Sequence, residues 1–323
     1  MSLWKLRASL IGTLAAIIGL STLFFAIILQ LAGISFMVLP FIVVVFNIIQ
    51  WLVSPYIIDA IYRVREIPKT EKPELHSILE SLSRKSGVKT PKLMLAGIPI
   101  PNAFAYSSPI VGTRVAVTTG LLESLETEEV EAVIGHELGH LKHRDVQVMM
   151  FVSMLPAIFY YIGFSMMMST WYRGGRSGRG GGSGLAMLIG IASIVVYFIL
   201  HLFSLHLSRI REYYADRHSA SIVQDGPRKL SEGLAKIVHS TSRTKKRYKQ
   251  AKGLHAFKAL FISDPDQAEA NVQAMARTSV ISSDRQLVEE VLRREITTTD
   301  RIVELFSGHP NIVKRLTALQ ELA

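Results

Sequence analysis

Apolar residues gather in four long runs, Ile11–Ala32, Ile34–Val53, Met149–Trp171 and Leu185–Leu207. Each is long enough to cross about 30 Å of hydrocarbon at about 1.5 Å per helical residue. Only Gly33 separates the first run from the second, which predicts a tight helical hairpin with Pro40 placed to kink its second arm. The third and fourth are joined by Tyr172–Gly184, where glycine, serine and arginine predict a flexible loop. With four spans, both termini and both polar blocks, Ser54–Val148 and Ser208–Ala323, lie on one side.

The pattern changes inside the polar blocks. Leu75, Ile78, Leu79 and Leu82 recur at helical spacing and predict a helix over Pro73–Ser86. Lys92–Ala96 and Val115–Thr119 read as short strands, separated by a segment containing Pro and Asn, Ile98–Gly112. Thr127–His143 reads as a helix, with Thr127 as its cap and Glu128, Glu129 and Glu131 in its first turns. The block after Arg209 is mainly helical, with turns at Asp225-Gly226-Pro227, Ser263-Asp264-Pro265 and Gly308-His309-Pro310.

Composition adds a side to this topology. Only 19% of the 323 residues are charged and the mean hydropathy is +0.30, the balance of a membrane protein. The formal charge of +10 is accounted for by Lys and Arg on the cytoplasmic face, where anionic headgroups attract them. No recognition pattern for nucleic acid accompanies it. Lys5 and Arg7 before the first span, and Arg63, Arg65, Lys69 and Lys72 after the second, place the polar blocks in the cytoplasm of a multi-pass protein of the cell membrane. Arg173, Arg176 and Arg179 oppose that rule, so a shallow or protein-buried hairpin is the alternative for the third and fourth runs. Cysteine is absent, which excludes disulfides, thiol nucleophiles and thiolate metal sites.

Any metal must therefore be held by His, Asp or Glu, and residues 136–140 read His-Glu-Leu-Gly-His. On a helix His136 and His140 share a face and can bind one zinc ion, with Glu137 beside it to deprotonate water. Gly139 is costly in a helix interior and marks a close approach or a packing need. A catalytic zinc takes three protein ligands. The best source of the third is Glu212-Tyr213-Tyr214-Ala215-Asp216, which starts just past the fourth run as the first motif ends just before the third. Glu212 is the candidate ligand, and Asp216, on the same helix face, can accept from the far nitrogen of a ligand histidine. Taken alone, both acids also read as solvated charges. Arg209 and Arg211 are expected at the headgroups, His143 and His218 solvated or interfacial, and His201 and His206 as packing or interface residues. Arg243–Lys252 reads as a lipid-facing or solvated basic stretch.

These residues together resemble the HtpX-like membrane zinc metalloproteases, relatives of the prenyl-protein (CAAX) endopeptidases. The resemblance covers most of the chain: two hydrophobic pairs, His-Glu-Leu-Gly-His, Arg209-Ile210-Arg211-Glu212-Tyr213-Tyr214-Ala215-Asp216, Pro101-Asn102-Ala103-Phe104-Ala105, and His309-Pro310 with Arg315. It implies that Glu212 is the third ligand and that Asn102, Ala103, Phe104 and Ala105 border the substrate cleft. Small residues around Phe104 would let an extended substrate pair along an edge; the alternative is an ordinary loop. His309 and Arg315 either donate to the oxyanion or anchor the C-terminal helix. Asn311 stands where the family pattern often has a second proline.

The expected fold is mainly α, a multi-pass membrane protein with a zincin-like cytoplasmic metalloprotease domain and a small β-sheet. Residues 1–53 and 149–207 form the membrane hairpins, and 54–148 and 208–323 the two parts of the catalytic domain. The expected function is a zinc-dependent endopeptidase with one Zn2+ per chain, embedded in the lipid bilayer and cutting misfolded or damaged membrane proteins. The alternatives are an endopeptidase for modified C-termini and a non-catalytic zinc-stabilised membrane scaffold. Oligomeric state is not readable from the sequence.

Overall fold

The computed structural model describes residues 38–173, 182–247 and 283–323. The first apolar run, the start of the second, Lys5 and Arg7, residues 174–181 of the glycine loop, the end of the basic stretch and the Ser263–Pro265 turn lie outside the described residues. The described residues cluster into two compact units, one within Leu52–Val146 and Ser208–Ala323, the other within Gln147–Leu207 and the described residues up to Trp51.

The first unit carries a sheet and helices. Helix α1 (Val38–Tyr62), which belongs to this unit from Leu52 on, leads into β1 (Val64–Glu66), α2 (Pro73–Ser86), β2 (Lys92–Ala96), β3 (Ala103–Ser108), β4 (Gly112–Thr118), α3 (Thr119–Ser124) and α4 (Thr127–Lys142). Strand order is β1-β2-β4-β3, with β2 and β4 parallel and the other pairs antiparallel. The segment Ile98–Gly112, which the sequence reads as separating two strands, with either an edge or an ordinary loop around Phe104, contains β3, an edge strand of the sheet. Phe104 and Tyr106 suit a strand, but the Ala and Ser residues around them carry little strand signal, and pairing with β4 decides it.

Strand alternation divides the buried residues between two cores. Leu93, Ala103 and Val117 join Leu79, Val133, Leu138, Leu234 and Leu316 beneath the helices. Met94, Phe104, Tyr106 and Ala116 join Ile58 and Tyr62 on the opposite face. There Tyr106 donates to Asp59 at 2.7 Å, and Arg114 pairs with the same carboxylate, tying the end of α1 to the sheet.

The start of α4 differs from its sequence reading. Its cap is Glu126, not Thr127: the Glu126 N–H donates to Glu129 Oε2 at 2.8 Å in a capping box. Glu129 is buried and pairs with Lys236 at 2.8 Å.

Two described helices are long and apolar enough to cross a membrane, within α5 (Asp145–Arg173) and α6 (Gly182–Ile222). The apolar stretch of α6 ends at Leu207, and the helix continues without a break through Ser208–Ile222, which belongs to the first unit. In the second unit α5 and α6 approach closely at glycines, since a Cβ on Gly163 would lie 3.0 Å from the Gly190 carbonyl. Small residues at such crossings replace the hydrophobic drive that lipid does not supply. After α6 come α7 (Gly226–Arg247), α8 (Asp284–Leu292), α9 (Thr298–Leu305) and α10 (Ile312–Gln320).

Candidate metal centre

Two helices of the first unit build the site. Helix α4 contributes His136, Glu137 and His140, and the last turns of α6 contribute Glu212 and Asp216. Glycine sets their distance: a Cβ on Gly139 would lie 2.9 Å from the Ala215 Cα, and one on Gly135 would lie 2.9 Å from Ser219 Oγ. The Ser219 hydroxyl donates across the gap to the Ala132 carbonyl at 2.6 Å. The costly glycine of the motif is therefore a helix-contact residue.

This contact brings His136, His140 and Glu212 into one group able to hold a metal ion. The two Nε2 atoms are 3.2 Å apart. His140 Nε2 lies 3.5 Å from Glu212 Oε1, and His136 Nε2 lies 3.6 Å from Glu212 Oε2. Each imidazole is oriented from behind: His136 Nδ1 sits 2.9 Å from Asp216 Oδ1, and His140 Nδ1 sits 2.6 Å from Asp145 Oδ2. Carboxylates at Nδ1 favour a proton there and turn the Nε2 lone pairs inward. Lone pairs facing one another and a carboxylate repel, and a cation at the centre relieves this. The donor set fits a metal.

Arg315 holds the acids in place. It is 1% exposed, contacts Asp216 at 2.9 and 2.6 Å, and lies 3.1 Å from Glu212. Burial alone would raise the Glu212 carboxyl, but His309, at 3.4 Å, and Arg315 outweigh it and hold it well below the usual carboxylate range. Asp216 is likewise lowered against its burial by Arg315 and His136. Both acids are thus charged at neutral pH, the state in which a carboxylate can hold a cation.

The residues singled out in the sequence fall as follows. Glu137 is buried next to His136 on α4. Asn102 is buried, and its N–H donates to Thr118 Oγ1 at 2.9 Å. Phe104 points into the core on the far face of the sheet, with its ring 5.8 Å from Tyr62. The Thr118 N–H donates to the Asn102 carbonyl, so by antiparallel alternation Ala103 and Ala105 turn their backbone groups away from β4, toward the outer edge. Arg315 has its guanidinium engaged by two carboxylates, which is an anchoring arrangement.

Three expectations need correction. Arg209 and Arg211 are internal anchors, not headgroup ligands. Arg209 donates to the carbonyls of Glu304 and Ser307 at 2.8 and 2.7 Å, and Arg211 to the His143 carbonyl at 2.7 Å and to Asp145. His218 is buried and lies 2.9 Å from the Ser86 hydroxyl. Asp145 behind His140 was missed, because an acid at a helix start reads as a cap; its place just after the motif was the available signal.

The chain matches peptidase family M48 over residues 69–323. It belongs to that family. It is 36% identical to a "Protease HtpX homolog" of Thermoplasma acidophilum over 98% of this chain and 96% of that one. A second "Protease HtpX homolog", from Aeropyrum pernix, is 38% identical over 90% and 87%. Among solved structures the crystal structure of S. mikatae Ste24p shares the fold, with a TM-score of 0.55 at 16% identity, over 98% of this chain and 66% of that one. This M48 peptidase is a membrane-bound metalloendopeptidase.

Proposed function

We propose that the peptidase binds one zinc ion on His136, His140 and Glu212 and uses Glu137 to cut peptide bonds in misfolded or damaged membrane proteins. The observation that carries this is the convergence of the three side chains: one donor atom from each of His136, His140 and Glu212 lies within 4.8 Å of the others, and the two Nε2 atoms are 3.2 Å apart. A tetrahedral zinc with bonds of about 2.0–2.1 Å separates its ligands by about 3.3 Å. Zinc, when bound, lowers the pKa of water and polarises the scissile carbonyl.

The chain's own residues do the rest. Glu137 takes the proton from the attacking water and delivers it to the leaving amine. Asp216 and Asp145 keep the two imidazoles turned with Nε2 inward. Arg315 and His309 offset the charge of Glu212, and Arg315 anchors α10; His309 is the better placed of the two to donate to the oxyanion. Ala103 and Ala105 offer edge backbone groups to an extended substrate, in the zincin manner. The two apolar helices cross the cell membrane, with the catalytic unit on the cytoplasmic side, in reach of cytoplasmic parts of membrane proteins.

The test compares wild type with Glu137→Gln in detergent, measuring zinc content and cleavage of an unfolded membrane protein together. About one zinc per chain in both, with cutting only by wild type, is the expected result. No zinc in either folded protein would overturn the ligand set, and zinc with no cutting by wild type would overturn the substrate reading.

A further inference from the structure

The apolar hairpin contains polar groups where a membrane span rarely has them. Tyr160, Tyr161, Tyr197, His201, Ser153 and Ser204 line an open groove of about 280 Å3 between α5 and α6. Tyr160 and Tyr197 pack against each other along it, with tilted rings whose centroids are 5.4 Å apart, and His201 stacks on Tyr197 at 5.8 Å. The serines donate to carbonyls of their own helices, Ser153 to Met150 and Ser204 to Leu200, both at 2.9 Å. The hydroxyls of Tyr160, Tyr161 and Tyr197 and the His201 ring make no hydrogen bond among the described residues.

Depth rules out the ordinary explanation. Tyrosines usually mark the headgroup level. Counted from Met149 and Leu207, Tyr160 and Tyr197 lie about 15–17 Å into a core of about 30 Å, near its middle. A hydroxyl there without a partner is costly, and residues of this kind mark function by default. Lys, Arg, Asp and Glu are absent from the lining, so the groove is not built for a charged headgroup. What it offers is neutral donors and acceptors in hydrocarbon. The complementary ligand is a backbone that has lost its own hydrogen bonds, as a transmembrane helix does where it is broken.

We infer that this groove binds a transmembrane segment of the substrate at a break in its helix, hydrogen-bonding the freed backbone groups with Tyr160, Tyr197 and His201. This rests on the reading of the chain as a peptidase of membrane proteins, and gives that peptidase a means to tell a misfolded span from an intact one.

The test uses the full chain in lipid nanodiscs, with Glu137→Gln to prevent turnover. Two otherwise identical apolar spanning peptides serve as probes, one uninterrupted and one with a central Gly-Pro step. The interrupted peptide is expected to bind about fivefold to twentyfold tighter, the size of a few intramembrane hydrogen bonds. Tyr160→Phe, Tyr197→Phe and His201→Leu combined should abolish that preference, and each Tyr→Phe change alone, which removes one oxygen and keeps the ring, should take part of it. Equal binding of both peptides by the parent protein, or full preference in every single and combined variant, would overturn the inference. Wild type is then given the interrupted peptide joined to an unfolded soluble stretch. Preference in binding with no cutting would support the groove and refute the substrate reading above.

Discussion

Replacing Gly139 with alanine asks whether one close helix contact sets the metal site. The added Cβ would lie 2.9 Å from the Cα of Ala215 and 3.2 Å from the Cβ atoms of Ala215 and His218. Carbon atoms rest at about 3.5–4.0 Å, so α4 and α6 must part by roughly 0.6–1 Å. The nearest obstacle is backbone, which has no rotamer to escape into. Overpacking of this kind costs about 1–3 kcal/mol, while alanine is the better helix former by about 1 kcal/mol. The net loss of stability is therefore small, about 0–2 kcal/mol. Metal binding should suffer more. Glu212 lies one turn before Ala215 on α6, and its carboxylate moves with that helix away from the imidazoles. Such a shift exceeds the tolerance of about 0.2 Å on metal–ligand distances. Metal affinity should fall about tenfold to hundredfold, the range found when a site's supporting residues are lost. Competition against a chelator measures the affinity, and thermal unfolding of metal-free and metal-loaded protein measures the stability. Gly135→Ala is the control: its Cβ meets Ser219 Oγ at 2.9 Å and Val223 Cγ2 at 3.1 Å, side-chain atoms able to give way. Its effect should be smaller. Wild-type affinity and stability in Gly139→Ala would refute the reasoning.

Three further outcomes follow from the same geometry. Arg315→Met leaves Glu212 and Asp216 buried without their cation, and should destabilise the metal-free protein by about 3–5 kcal/mol in chemical unfolding, with partial recovery when metal is added. A loss below about 1 kcal/mol would mean that the guanidinium contributes little there. Asp145→Asn removes the carboxylate behind His140 and the partner of Arg211; metal affinity should drop about tenfold, and an unchanged affinity would remove Asp145 from the site. Burial pushes His218 down from 6.5 to about 4, with Lys142 and His143 adding to the effect. The unfolded chain then binds a proton that the folded one refuses, so stability present above about pH 6.5 is lost as pH falls toward about 4, by about 3 kcal/mol at most. Denaturation of metal-free protein at both ends of that window should show a smaller pH dependence in His218→Gln than in wild type.

Much of the site was readable from spacing. His136 and His140 share a helix face because of the period of the helix, and that period likewise puts Glu212 and Asp216 on one face. The apolar runs at Met149–Trp171 and Leu185–Leu207 announced long helices by length alone, and the structure has helices there. The covalent order of α4, α5 and α6 was legible too.

What the sequence could not supply was the set of contacts between elements distant along the chain. Gly139 signalled that something comes close, but only the fold identifies the Ala215 backbone. Arg211 reads locally as a headgroup cation; its pairing with Asp145 behind His140 depends on the start of α5 meeting α6 in space. Within the stretch expected to border the cleft, strand alternation turns the Phe104 side chain into the far core and leaves the edge of β3 to the backbone groups of Ala103 and Ala105. Local periodicity is encoded residue by residue, so a sequence determines which face of an element carries the chemistry. Which faces meet is decided by the sum of many weak packing choices across the whole core, and no single stretch of sequence contains that sum.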